Sequence, residues 1–156
     1  MIFDIGIYCL NIDIEQTKSF YEAAKDICCS CAGCRNFTKA VRQLPDDAMS
    51  FLNQFGIDAG KPAEMSAVCS SDGNMISYNG FYHICGTILE GTKPWVKVTE
   101  KQFRLDEKYI INLSDDFSCF FTGDCHLLSK DFPKPAIQLE FSGSLPWLLD
   151  ESNPYI

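Results

Sequence analysis

Four cysteines crowd into the seven residues Cys28-Cys29-Ser30-Cys31-Ala32-Gly33-Cys34, out of nine in the whole chain. Two thiolates separated by two residues can grip one metal ion, because the turn between them aims both sulfurs inward, and Gly33 relieves the backbone where that turn is tightest. Cys31 and Cys34 meet this requirement. Zinc takes four ligands in a tetrahedron, so a C-x-x-C pair is half a site. Cys28 and Cys29 are neighbours and project differently; a C-x-C-x-x-C set of Cys29, Cys31 and Cys34 is the easier geometry for one ion. The fourth ligand is then remote. Alternation along Phe81-Tyr82-His83-Ile84-Cys85 puts His83 and Cys85 on one face of a strand, where either can complete the site. Cys125 and His126 are further choices. His83 ranks first, as one of only two histidines and because imidazole suits zinc. The expected centre is a structural Zn2+ held by Cys29, Cys31, Cys34 and His83.

Other thiol chemistry fits less well. A thioredoxin-like C-x-x-C follows a strand in a βαβ unit, whereas this one follows a helical stretch. A zinc deaminase needs H-x-E and P-C-x-x-C, but Cys85 and Leu128 stand two places after the histidines and Ser30 precedes Cys31. Cys34, if it opens a helix, gains nucleophilicity, yet no partner base is identifiable. Free cysteine is among the most buried residue types, so Cys9, Cys69 and Cys119 are expected to act as small core hydrophobes. The carboxylate pairs read structurally: Asp46-Asp47 at a helix start and Asp115-Asp116 in a turn. Phosphate-binding glycine loops of the G-x-G-x-x-G or P-loop kind are absent from the sequence.

The whole chain of 156 residues is long enough for one sizeable core, so a single domain over residues 1–156 is expected. Its net charge of −8 disfavours direct binding to nucleic acid, whose affinity comes from lysine and arginine on phosphates, and favours a basic or neutral protein partner. The first ten residues carry Asp4 and no lysine or arginine, unlike a secretory signal, and no apolar run reaches bilayer length. The expectation is a cytoplasmic chain with reduced thiols, in which an odd cysteine count forbids complete internal pairing.

The elements that must position the cysteines follow from periodicity. Ile2 to Leu10 alternates Phe3, Ile5, Ile7 and Cys9 against Asp4, Gly6 and Tyr8, which predicts one opening strand. Asp13 and Gln16 form a capping arrangement for a helix carrying Ile14, Thr17, Phe20, Tyr21 and Ala24, running to about Lys25. Phe37, Val41 and Leu44 recur at helical spacing, and Pro45-Asp46-Asp47 opens a further helix that Gly56 stops. Strands are predicted at Met65 to Cys69 and Met75 to Leu89, joined by a Ser71-Asp72-Gly73-Asn74 turn. Others are predicted at Gln102 to Leu105, Tyr109 to Leu113, Phe117 to Phe121 and Ile137 to Phe141. The fold class is therefore α+β: an N-terminal strand and helices, then a twisted antiparallel sheet. The tail, with Trp147, Leu148, Leu149 and Tyr155, is too apolar to float free and should pack back on the domain.

Four segments carry a resemblance: Cys31-Ala32-Gly33-Cys34-Arg35-Asn36-Phe37, Gly80-Phe81-Tyr82-His83-Ile84-Cys85-Gly86, Asp124-Cys125-His126-Leu127-Leu128 and Pro146-Trp147-Leu148-Leu149-Asp150-Glu151. Together they resemble small cysteine-rich proteins of Firmicutes phages and integrated mobile elements. In size, acidity and metal content that group is similar to phage anti-CRISPR proteins that bind a type II CRISPR nuclease. The resemblance implies a non-enzymatic, zinc-containing inhibitor of a host defence nuclease in the bacterial cytoplasm, acting through a protein partner. It implies no catalytic residue. Trp95, Trp147 and Tyr155 are candidate aromatic anchors for such a partner, against the competing reading that they pack in the core or tail. The alternatives are a zinc- or thiol-dependent enzyme, and a structural or regulatory adaptor.

Overall fold

The computed structural model describes residues 1–25, 29–69 and 74–155. Cys28 and the Ser71-Asp72-Gly73 part of the expected turn lie outside these residues. Among the described residues the chain is α+β, with three α-helices and a seven-stranded sheet whose strand pairings are all antiparallel.

The chain opens with a hairpin, β1 (Ile2–Ile5) and β2 (Tyr8–Ile12), where the apolar alternation predicts one strand. Gly6 sits at φ +57 in the turn, and the buried parity switches there: Phe3 and Ile5 face inward before it, Tyr8, Leu10 and Ile12 after it. A single strand cannot change parity, which is why the pattern Ile7–Cys9 misleads. Helix α1 (Ile14–Ala23) starts as expected, with Asp13 Oδ1 accepting from the Gln16 backbone N–H at 3.0 Å. It ends at Ala23, two residues before the expected boundary. Helix α2 (Ala32–Ala40) follows the cysteine run and passes into a 3-10 turn, Val41–Gln43. Helix α3 (Asp46–Asn53) begins on the Asp46-Asp47 pair, which favours its positive end, and Gly56 at φ +80 turns the chain just beyond it.

Strand β3 (Glu64–Cys69) pairs with the N-terminal half of β4 (Met75–Glu90), a 16-residue strand, and β2 pairs with its C-terminal half. Between these neighbours no strand among the described residues lies on that edge of β4, and α1 fills the gap. Tyr21 Oη donates to the His83 carbonyl (3.0 Å) and accepts from the His83 N–H (3.2 Å), and Thr17 Oγ1 accepts from the Cys85 N–H (2.9 Å). Hydroxyls thus take the place of a missing strand, so the exposed edge of the ladder is not left unpaired. On its other edge β4 pairs with β9 (Ala136–Pro146), which pairs with β8 (Phe117–Thr122), which pairs with β7 (Ile111–Ser114). Tyr109, expected in that last strand, belongs to a 3-10 turn, Glu107–Tyr109, before it.

Strand β6 (Gln102–Leu105) does not join the main sheet. It forms a separate hairpin with β5 (Trp95–Thr99), a strand the sequence reading did not identify. Every residue of β5 is exposed, so there is no alternation to see.

One face of the main sheet carries the core. Ile76, Tyr78, Tyr82, Ile84, Leu139, Phe141, Cys119 and Phe121 share it by register, and α2 and α3 cover it. Phe37 of α2 stacks on Phe141 at 5.3 Å between ring centroids, and Phe55, just after α3, meets Phe121 edge-on at 5.5 Å. Among the described residues no helix is long and apolar enough to cross a membrane.

Candidate metal centre

Cys31 is the N-cap of α2, in extended conformation, and its Sγ accepts from the Cys34 backbone N–H at 3.5 Å. Cysteine here takes the role a serine or aspartate usually fills, satisfying one of the helix's free N–H groups. Because Cys34 stands one turn into the helix, its side chain rises beside Cys31. Cys29, in the segment entering the cap, brings its Sγ to 3.3 Å from that of Cys34. The three sulfurs lie within 4.8 Å of one another. Ligand sulfurs around a tetrahedral zinc, each about 2.3 Å from the ion, stand roughly 3.8 Å apart. A small rearrangement, with the Cys29–Cys34 pair opening slightly from 3.3 Å, therefore creates three coordination positions.

Electrostatics favour the anionic form that a metal needs. The Cys31 thiol is held below its ordinary range, first by the Cys34 backbone N–H that points at it and then by the Cys29 thiol, with partial burial opposing. The positive end of α2 acts in the same direction. Nearby Tyr155 is pushed up, by burial and then by the negative charge of Cys31 and Cys34. Cys29 and Cys31 are exposed while Cys34 is buried, so the cluster sits at the protein's surface with one sulfur rooted in the core.

Gly33 explains how the helix start fits. A Cβ at this position would stand 2.5 Å from Tyr155 Oη and 3.0 Å from the Ala67 Cβ. Glycine is needed for close approach, between the tail on one side and strand β3 on the other. Asn36 and Tyr78 complete the seat. Tyr78 Oη donates to the Gly33 carbonyl (3.3 Å) and accepts from Asn36 Nδ2 (2.9 Å). Neither Asn36 nor Tyr78 was identified from sequence; both are fully buried, and a polar residue on a buried helix face is the signal that would have found Asn36.

Of the four expected ligands, the structure brings Cys29, Cys31 and Cys34 together and does not bring His83 to them. His83 belongs to the opposite face of β4 from Tyr78, five residues along it, or roughly 17 Å at the usual rise per residue. Its ring packs against Phe81 (5.5 Å) and Phe132 (5.6 Å), and Nε2 is buried without a hydrogen-bond partner among the described residues. Burial lowers its proton affinity, with hydrogen bonding to the His126 backbone and the Gln138 side chain opposing. Cys85 is buried beside Thr17 of α1. Cys125 donates to the Ala136 carbonyl at 3.4 Å, and His126 lies near Phe81 on the His83 side. None of these three joins the cysteine cluster.

The remaining cysteines separate. Cys119 is the core hydrophobe expected, and burial raises its thiol strongly. Cys9 is only half-buried and Cys69 is exposed, so the small-hydrophobe reading fails for Cys69. Trp147 and Tyr155 pack against the core, their rings 6.4 Å apart, whereas Trp95 stands 46% exposed on the β5–β6 hairpin.

Fold and site together define an α+β protein with a three-cysteine cluster able to hold a metal ion. Comparison of the chain with protein-family models, curated proteins and solved structures gives no match.

Proposed function

We propose that this chain is a non-enzymatic binding protein whose cysteine cluster holds one structural zinc ion, and that it acts by docking on and inhibiting a bacterial defence nuclease of the CRISPR effector class. The approach of the Cys29, Cys31 and Cys34 sulfurs to within 4.8 Å at a helix N-terminus carries the metal half of this reading. Thiolate-rich sites of this kind suit zinc, which in structural sites fixes loops rather than doing chemistry. The binding half is supported by two surface properties. The net charge of −8 complements the basic channels in which such nucleases hold guide and target. The β5–β6 hairpin exposes Trp95, Val98 and Phe103, apolar anchors of the kind that dominate protein interfaces.

Two measurements test the halves separately. Elemental analysis of purified, reduced protein should find about one zinc per chain; a folded, metal-free protein under the same conditions overturns the metal half. A purified type II effector with guide and target should lose cleavage when this protein is added in excess; full cleavage at saturation overturns the inhibitory half.

One observation favours a second reading. With Cys29 Sγ and Cys34 Sγ 3.3 Å apart, the same cluster can act as a redox dithiol. Thiol titration distinguishes the two: a dithiol loses two titratable thiols on mild oxidation, whereas zinc-loaded thiolates resist until a chelator removes the metal.

A further inference from the structure

Three sulfurs leave a tetrahedral ion one ligand short, and the way α2 lies on the sheet shows which residue stands next in line. Phe37 stacks on Phe141, which belongs to the cross-strand row Met65–Gly80–Phe141. One turn earlier, Gly33 meets Ala67 and accepts from Tyr78, both of the row Ala67–Tyr78–Gly143. Four residues of helix advance about 6 Å, and two residues of strand advance nearly the same, about 6.7 Å. The helix therefore climbs the sheet one row per turn. The following row is Cys69–Ile76–Leu145, and at that end of α2 the chain entering the helix carries Cys31 as its N-cap and Cys29 just before it.

We propose that Cys69 is the fourth zinc ligand. It lies on the same face of β3 as Ala67, which already touches the helix start between Cys31 and Cys34. Its thiol is exposed and free, at the end of the strand. Its Sγ is outside the 4.8 Å group, so closing the site requires β3's end to move toward α2. The ion then fastens the first helical layer to the β3–β4 hairpin, completing a four-cysteine centre with no open position. Each thiol still protonated releases its proton to solvent as the ion binds.

The inference rests on the metal reading above, and its test keeps the two distinguishable. Zinc affinity is measured by chelator competition for the unaltered protein and for C31S, C69S and C28S, with Co2+ spectra reporting the number of sulfurs bound. C31S should abolish tight binding, and no difference between it and the unaltered protein removes the metal reading itself. Loss of an outer-shell partner weakens a site by about 10–100-fold, so loss of a direct ligand in C69S should weaken it by more than about 100-fold and shift the Co2+ spectrum from four sulfurs to three. Equal affinity and an unchanged spectrum in C69S overturn the Cys69 assignment while leaving the metal reading intact; the same loss appearing instead in C28S assigns the position to Cys28. A measurement without substitution checks any variant that folds poorly. In the zinc-loaded protein, alkylation with N-ethylmaleimide should spare Cys69 until EDTA is added, and prompt labelling of Cys69 in the loaded protein overturns the proposal.

Discussion

Asn36 Nδ2 donates a 2.9 Å hydrogen bond to the hydroxyl of Tyr78, both side chains wholly buried where helix α2 meets strand β4. The same amide also donates to the Pro146 carbonyl (3.0 Å), and its Oδ1 accepts from the Leu148 N–H (2.7 Å). One side chain therefore ties the cysteine-bearing helix to the sheet and to the tail. Burial pushes the Tyr78 phenol up to about 12, so it remains a neutral donor to Gly33 throughout the working range.

Asn36→Ala strips all three bonds, leaving the buried Tyr78 hydroxyl and the half-buried Pro146 carbonyl and Leu148 N–H each short of a partner. At about 1–3 kcal/mol for each such group, less what local relaxation recovers, the expected loss is about 3 kcal/mol. In a domain of this size that lowers Tm by roughly 6–12 °C. Tyr78→Phe, which leaves Asn36 bonded to Pro146 and Leu148, should lose about 1 kcal/mol. Thermal melts of the two variants check the order; equal losses would show that the network is not centred on Asn36.

Gly33 and Tyr155 form the second coupled pair. Gly33→Ala places a methyl against the Tyr155 hydroxyl and the Ala67 side chain, and crowding of this kind typically costs about 1–3 kcal/mol. The tail can yield more easily than the strand. Tyr155→Ala should therefore cost little further in the Gly33→Ala background, and a double-mutant cycle should return a coupling of about 1 kcal/mol. Additive effects would place the strain entirely on β3.

Zinc removal gives a third expectation. At free zinc a thousandfold above Kd, a folded-state site stabilises by about 4 kcal/mol, or roughly 8–16 °C in Tm. EDTA should remove this increment, and Cys34→Ser should make the protein insensitive to EDTA. The pH sign follows from Cys31, whose thiol is depressed in the folded chain. That contribution is present above the unfolded thiol value and is lost as pH falls through the folded one. Protons then compete with the ion for the same sulfurs, so zinc affinity should fall steadily from pH 8 to pH 5.5. Affinity that does not change with pH would mean that the cysteines are not the ligands.

The fold class and three members of the cluster were legible because each rests on local pattern. The cysteine spacing aims three sulfurs together through a helix cap, and Asp13, Asp46-Asp47 and Gly56 mark helix ends by chemistry acting within one turn. What escaped depends on tertiary context. Gly6 reads as an ordinary alternation position until the parity of Tyr8, Leu10 and Ile12 reveals the turn. Strand β5 is exposed on both faces and gives no period. His83 shares a strand with Tyr78 but has odd parity relative to it, so the residue that seats the cysteine helix and the one expected to complete its site face opposite ways. Cys69 was assigned to the core by composition alone, while its row on the sheet places it on the face that α2 crosses.

His83 itself supplies the last prediction. Its ring is 3% exposed between Phe81 and Phe132, with Nε2 unpartnered among the described residues, so the protonated ring is poorly solvated there. Burial accordingly holds the imidazole below its ordinary value. Below about pH 6.5 the unfolded chain takes up a proton more readily than the folded chain does. Stability from this residue is therefore complete above that pH and declines as pH drops toward the folded value. His83→Phe removes the titrating group and keeps a ring among its aromatic neighbours. The Tm difference between pH 7.5 and pH 5 should be smaller in His83→Phe than in the unaltered protein. An equal pH dependence in both would show that the imidazole protonates freely in the folded state.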